Sequence, residues 1–364
     1  MDAITQAQRP LPVEIEEISK EWLTAAFQDY APGAEVREFA IEDMMRSTCT
    51  KIRLRLDVAN NPGNRPIPPT VILKGGYEPH SRHLHYIHEK EARTYGELLP
   101  ELGLRHPEAY FTDYDAERKQ GIVIMEDLVA RGVTFCSALE PQGFEPVARR
   151  LGDLARFHAG SWDSPEFRPG GKWEWVDDIA ANQLNYFDEY LQPDVWRHYI
   201  RSSRGAAASV RFHDLAWMRD ALQRYAALAA TVPHCVLHGD THLGNLYVDV
   251  DGTPGFFDSI GGRAPGMLEV SYHIGCALDV ADRPQLEERL IRHYLEELSK
   301  TGVDAPSFED AMRQYVAFLA YGYCVFIIND AVFQVEAVNT AYTARFSAAM
   351  LDHDTIGLLN KIPL

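Results

Sequence analysis

The sequence predicts an α+β fold, with strands gathered in the first third and helices around one embedded hairpin in the rest. Three observations carry this. Between Val36 and Met125 lie four β-prone runs: REFAIEDM, TKIRLRLDV, VILK and GIVIM. From Pro146 onward, apolar residues recur at helical spacing. One stretch, His234 to Gly262, breaks that pattern with two short apolar runs around Asp251-Gly252-Thr253-Pro254, which is a hairpin signal.

The chain has 364 residues, enough for two cores but not three domains. Its apolar content of 46% and charged content of 24% are ordinary for a globular protein. A formal net charge of −18 argues against nucleic-acid or anionic-membrane partners. A solvated acidic surface accounts for that charge, although a cationic substrate is compatible with it. Oligomeric state is left open. The five cysteines are scattered without CxxC spacing, so no disulfide framework or zinc site is expected and a reducing cytoplasm fits. The first 17 residues lack an apolar signal core. The uncharged run Gln314 to Asn329 reads as a buried helix, being short for a bilayer span.

Taken in order, residues 1 to 12 read as a loose arm. Ser19 then caps a packing helix from Lys20 to about Tyr30, stopped by Ala31-Pro32-Gly33. The first two strand-like runs flank a turn over Met45 to Thr50 that contains no glycine. The strand VILK ends on Lys74, and Glu91 follows in the helical stretch HEKEARTYGELL. Glu91 shares a face with Tyr95 and Leu98, which Glu89 does not. His80, His83, His85 and His88 lack a tight HxxxH pair, so a polar, pH-sensitive linker is expected, not a metal site. The strand Gly121 to Met125 runs into Glu126-Asp127-Leu128. Pro146 to Trp162 reads as a core helix carrying His158 as a satisfied buried histidine. A further helix is expected over Asp214 to Ala230. Trp173, Trp175, Tyr186, Phe187 and Tyr190 are either core or the wall of a substrate cleft. Tyr315, Phe318, Tyr321, Tyr323, Phe326 and Phe333 are core first, with a hydrophobic acceptor cleft as the second reading.

The chemistry lies in the hairpin. Asp240 and Asn245 bracket the loop after the first apolar run, and Asp258 follows the returning one. Two carboxylates and an amide make a hard-oxygen set suited to Mg²⁺ that shares substrate phosphates. One carboxylate in such a set can stay off the metal and take a proton from an attacking hydroxyl. The other reading of the same residues is a hairpin with Asx turns capping backbone N–H groups.

HGD-x-H-x-x-N (His238 to Asn245), followed by Asp258 at the end of the next hairpin, resembles the aminoglycoside phosphotransferase and choline kinase-like group, above all its ecdysteroid kinase-like branch. The resemblance implies a two-lobed protein-kinase-like fold. Residues 1–34 would be an arm and packing helix. Residues 35–125 would be a nucleotide-binding lobe with an antiparallel sheet. Residues 126–364 would be a mostly helical lobe with the catalytic loop and acceptor site. It implies transfer of the ATP γ-phosphoryl group, with Mg²⁺, to a small-molecule hydroxyl. Asp240 would be the base, and Asn245 and Asp258 the Mg²⁺ ligands. Lys74, paired with Glu91, would orient the phosphates, as a partly exposed charge whose loss spares the fold. The glycine-free turn would cover the phosphates through Ser47 and Thr48. Met125 would back the adenine pocket, with the Glu126 carbonyl and Leu128 amide on the base edge.

Gly261 and Gly262 would form a flexible turn. Glu269 stands where the family often has an Asp that braces the catalytic loop. A protein kinase is disfavoured, since no HRD, DFG or APE triplet occurs in order. The aromatic count tilts the acceptor towards an apolar alcohol, whereas aminoglycosides or choline would want carboxylates. Two rivals remain: a catalytically silent nucleotide-binding scaffold, and a metal-dependent hydrolase with Asp240, His242 and Asp258 as ligands.

Overall fold

The structure is a computed structural model and describes residues 10–364; residues 1–9 of the expected arm lie outside the described residues. The chain forms two compact units. One runs to Glu101 and adds His106–Val133; the other comprises Leu102–Arg105 and Thr134–Leu364.

The first unit is built on an antiparallel sheet of β1 (Glu35–Arg46), β2 (Thr50–Ala59), β3 (Thr70–Gly75), β4 (Ala109–Asp115) and β5 (Gln120–Glu126), in the order β1-β2-β3-β5-β4. On β2 the alternation works as the sequence implies, with Ile52, Leu54 and Leu56 buried on one face. They pack into a core with Trp22, Leu23 and Phe27. The helix carrying those residues spans Lys20–Ala26, and Ser19 Oγ accepts the Trp22 N–H at 3.2 Å. It stops before Tyr30 because the Gln28 amide bonds the carbonyls of Thr24 and Ala34, drawing the chain out of the helix. Strand β4 was not foreseen, because AYFTDYD breaks the apolar alternation with Thr112, Asp113 and Asp115. It can be polar because it lies at the edge of the sheet. The helix His85–Arg93 continues through a wider π turn at Thr94–Leu98.

The second unit carries β6 (Thr134–Phe135), β7 (Cys235–Leu237), β8 (Leu246–Val248), β9 (Pro254–Phe256) and β10 (Gly262–Ala264) among helices. Strands β6, β8 and β9 form one small antiparallel sheet, and β7 pairs with β10. The core helix expected from Pro146 spans Phe144–Ala159. The next spans Leu215–Ala229, with Asp214 accepting the Ala216 and Trp217 N–H groups as its cap. The helix Phe308–Ile328 is apolar and long enough to cross a membrane by length and composition, yet 83% of its most apolar window is buried within the protein. Its aromatic residues Tyr315, Phe318, Tyr321, Tyr323 and Phe326 are all buried, so they are core. Phe333 lies in the following loop and is half-buried; Trp173 is core, while Trp175, Tyr186, Phe187 and Tyr190 are half-buried.

Two glycines let the central helices close up. Gly275 on the helix Gly266–Ala277 and Gly322 on Phe308–Ile328 both face Phe346 on Glu336–Asp352. A Cβ at Gly322 would stand 2.2 Å from Phe346 Cε1. Gly322→Ala would gain about 1 kcal/mol in helix propensity. Overpacking a full core costs about 1–3 kcal/mol and more where rings cannot move, so a net loss is expected. Thermal unfolding should show a lowered Tm for this variant.

Each unit also buries a neutral histidine. His88 and His273 each have an Nε2 without a hydrogen-bond partner. Burial, then the nearby charge of Lys74 or Arg150 respectively, pushes each imidazole from 6.5 down to about 4. The unfolded chain therefore binds more protons below about 6.5, and stability falls as the pH drops from there towards 4. Urea unfolding at pH 5 should show a loss on the order of 2 kcal/mol per histidine relative to pH 7. Equal stability at the two pH values would contradict the burial argument.

Candidate active site

The loop His238-Gly239-Asp240-Thr241 leaves β7 and is gripped by one face of the helix Gly266–Ala277, every residue of which is buried. Glu269 Oε2 accepts the His238 N–H at 3.0 Å and Oε1 accepts the Gly239 N–H at 2.9 Å. Three residues on, the Tyr272 phenol donates to Asp240 Oδ1 at 2.8 Å. The next residue, His273, donates from Nδ1 to the Thr241 carbonyl at 3.0 Å. The i, i+3, i+4 spacing thus puts three side chains on one helix face and aligns them with successive loop residues. Glu269 reaches both amides with both oxygens, so its longer side chain performs the brace.

Beneath Glu269 lies His158. A carboxylate only accepts, so His158 Nε2–H donates to Glu269 Oε2 (3.0 Å) and Nδ1 takes the Tyr294 phenol (2.9 Å). His158 is a satisfied core residue, as expected. Burial works to raise the Glu269 carboxyl, but the donors aimed at it, first the His158 imidazole and then the Gly239 amide, outweigh it and hold the group below its usual value.

Asp240 is half-buried, and both its oxygens are engaged. The Asn245 amide donates to Oδ2 at 2.9 Å and to the Asp240 carbonyl at 3.0 Å. His242 Nδ1 accepts the Gly244 N–H at 3.0 Å, so the ring proton sits on Nε2, which faces Asp240 Oδ2 at 3.4 Å. Burial opposes ionisation of Asp240, but His242 and Tyr272 more than offset it and lower its pKa.

The Asp258 hairpin is tied to the same loop. His238 Nε2 donates to the Phe257 carbonyl at 3.1 Å, and its Nδ1 accepts the Asp240 N–H at 3.3 Å. Ser259 Oγ and the Ile260 N–H both bond the His238 carbonyl (2.9 and 3.1 Å). The Phe257 N–H bonds the Asn245 carbonyl at 3.0 Å. Asp258 itself takes a left-handed backbone, φ 58°, a conformation that short polar side chains tolerate. Gly239 also turns left-handed, at φ 93°. The flexible turn expected at Gly261-Gly262 is not one: Gly262 pairs with Leu237 in β10, and a Cβ there would sit 2.6 Å from Ile179 Cγ1. Close packing requires that glycine.

In the other unit, Lys74 and Glu91 form a buried ion pair, 3% and 4% exposed. The expectation of a partly exposed Lys74 is therefore wrong, because β3 lies inside the sheet and the helix His85–Arg93 covers its end. The turn after β1 closes on itself: the Ser47 N–H and hydroxyl both bond the Cys49 carbonyl (both 3.2 Å), with Thr48 between them. His80 Nε2 donates to the Ser47 carbonyl at 2.9 Å. Glu78 binds Arg46 and Thr50 on either side of the turn. His85 bonds the Tyr114 hydroxyl, His83 is exposed and His88 is buried, so the four histidines go separate ways. Where β5 ends, Met125 and Leu128 are buried and Glu126 pairs with Arg131 at 3.0 Å. Asp127 accepts the Val129 and Ala130 N–H groups and the Arg53 guanidinium, fixing the segment.

Asp240, Asn245 and Asp258 are thus brought onto one hydrogen-bonded framework, and Lys74 and Glu91 onto another. Sequence reasoning missed Tyr272; its position three residues after Glu269 was the available signal. A metal would find oxygen donors here. With Asn245 Nδ2 committed to Asp240, its Oδ1 would be the atom left for a metal, and the Asp258 carboxylate would be the second donor. Two hard ligands fit Mg²⁺, which takes its remaining partners from phosphates and water. Among the described residues no three His, Cys, Asp or Glu side chains gather as a metal site.

Residues 90–258 match the profile of the Phosphotransferase enzyme family. The fold is similar to choline kinase from Cryptosporidium parvum Iowa II, with TM-score 0.54 and 11% identity over 94% of this chain and 99% of that one. Choline kinase LicA from Streptococcus pneumoniae aligns with TM-score 0.46 and 13% identity, over 90% of this chain and 94% of that one. A choline/ethanolamine kinase family protein from Mesorhizobium loti aligns with TM-score 0.43 and 13% identity, over 89% and 92%. The fold comparison rests on the first of these. No curated protein matches by sequence. The match to the Phosphotransferase enzyme family thus spans a little under half of the chain, and the fold that contains it is the two-lobed α+β kinase-like one.

Proposed function

We propose that the chain is an ATP- and Mg²⁺-dependent kinase for a small-molecule alcohol. The observation that carries this reading is the Asp240 carboxylate, held by Tyr272 and Asn245 on a loop whose backbone Glu269 clamps. Such a carboxylate is suited to receive an acceptor's proton as the acceptor oxygen bonds the γ-phosphorus and the bond to the β-phosphate oxygen breaks. Asn245 and Asp258 would hold Mg²⁺, which neutralises phosphate charge when bound. Lys74, held by Glu91, would orient the phosphates. Met125, Glu126 and Leu128 would meet the adenine. Most of the catalysis would be positioning in a preorganised site.

The hydrolase alternative fits less well, since His242 offers neither ring nitrogen to a metal: one accepts from Gly244 and the other carries the proton that faces Asp240. The self-closed turn at Ser47 favours a silent scaffold, and nucleotide turnover separates the two. The aromatics of Phe308–Ile328 are core, so they do not choose between an apolar and a cationic acceptor. A reducing cytoplasmic setting, without nucleic-acid or membrane partners, belongs to this proposal on the five free thiols and the net acidity.

Asp240→Asn is expected to keep Mg²⁺-ATP affinity in calorimetry and to lower turnover by roughly 10² to 10⁴. A variant near the native rate would remove Asp240 as the base. For Lys74→Ala, burial changes the expectation: stripping one partner from a buried pair costs about 3–5 kcal/mol. The double change Lys74→Ala/Glu91→Ala should recover part of that stability in urea unfolding, and none of the ATP affinity. Recovery of both together would deny Lys74 its phosphate role.

A further inference from the structure

Tyr272 is bonded to the Asp240 carboxylate, and the resemblance assigns it no role. Its ring is 3% exposed. It stacks on Phe326 (centroids 5.5 Å apart, 16° between planes) and leans on Tyr321 and Phe346 at 5.6 and 6.1 Å. The phenol therefore has a fixed origin, and its bond to Oδ1 defines a direction. At the other oxygen, Oδ2 receives the Asn245 amide and faces the protonated nitrogen of His242. Each carboxylate oxygen has two acceptor directions. On Oδ2 both have donors beside them, whereas on Oδ1 Tyr272 takes one.

We propose that Tyr272 is a positioning residue: it locks the rotation of the Asp240 carboxylate so that the remaining direction on Oδ1 meets the acceptor hydroxyl. This rests on the kinase reading. The proton moves from the acceptor oxygen to Oδ1, while Tyr272 keeps its own. Glu269, one turn earlier on the helix, sets the loop backbone, so one buried helix places both the backbone and the reactive side chain of the base.

The test uses the full chain with Tyr272→Phe, which deletes the hydroxyl and keeps the ring stack, so Tm should stay within a few degrees. Two measurements follow. Hydrogen exchange of the amides of residues 240–245 should quicken about tenfold in the variant, the scale of one hydrogen bond to a charged group, while the His238 and Gly239 amides held by Glu269 stay unchanged. With Mg²⁺-ATP as the probe and water as the acceptor, kcat for ADP release should fall about tenfold, with KM for ATP within about twofold. In an Asp240→Asn background the same change should cause no further loss, because the two side chains act as one unit. Unchanged exchange and unchanged kcat in Tyr272→Phe would overturn the proposal, as would losses that multiply in the double variant. If the native chain binds no Mg²⁺-ATP, the kinase reading fails. The exchange measurement then decides by itself whether Tyr272 holds the loop.

Discussion

The loop His238–Thr241 depends on a single buried carboxylate. Glu269 receives two loop amides and the His158 imidazole, and those donors offset what burial costs an ion. An unpaired charge at that depth would be several kcal/mol uphill, so the arrangement holds only if every partner is present. His158 is oriented in turn by Tyr294, which carries the dependence from that loop into the core helices.

From that carboxylate the rest of the site follows as a consequence of helix geometry. Once Glu269 meets His238 and Gly239, the residues three and four positions later are bound to lie over the next part of the loop. Tyr272 and His273 occupy those positions and bond Asp240 and Thr241. The helix cannot shift to accommodate a substitution, because Gly275 and Gly322 have let the Phe346 ring close against it. Core packing and the placement of the Asp240 carboxylate are thus the same constraint seen at two depths. His238 adds the second loop, since its two ring nitrogens bond the Asp240 amide and the Phe257 carbonyl.

The first unit uses burial differently. Lys74 and Glu91 pair across a strand and a helix where both side chains are almost wholly buried. Its surroundings carry little slack: His88 fills the space beside Gly76 and Gly121, with a 2.5 Å approach from a Cβ at Gly121 to the His88 carbonyl. The turn at Ser47 is closed by its own hydrogen bonds and by Glu78 and His80, in place of the glycines that would let a backbone open towards a phosphate.

What the sequence by itself determined were the features with local causes. Ser19 and Asp214 announce helix starts because a side chain caps a backbone three residues away. The alternation on β2 gives a half-buried strand, and Gly252 with Pro254 gives a hairpin. The spacing from His238 to Asp258 carries the family resemblance, because it lies within one supersecondary unit. Only the tertiary structure decided the rest. Strand β4 exists because β5 offers an edge, despite a polar pattern that argues for a loop. Lys74 is buried because the fold lays its strand inside the sheet and turns Glu91 of the next helix onto it. Gly262 is a packing glycine because Ile179 approaches it, and no local signal reports a neighbour more than eighty residues away. Tyr272 reads as one more apolar helix residue until the fold sets its hydroxyl against Asp240. The physical reason is the same each time: caps and periodicities are written in neighbouring residues, whereas burial and hydrogen-bond partnership belong to segments distant in sequence.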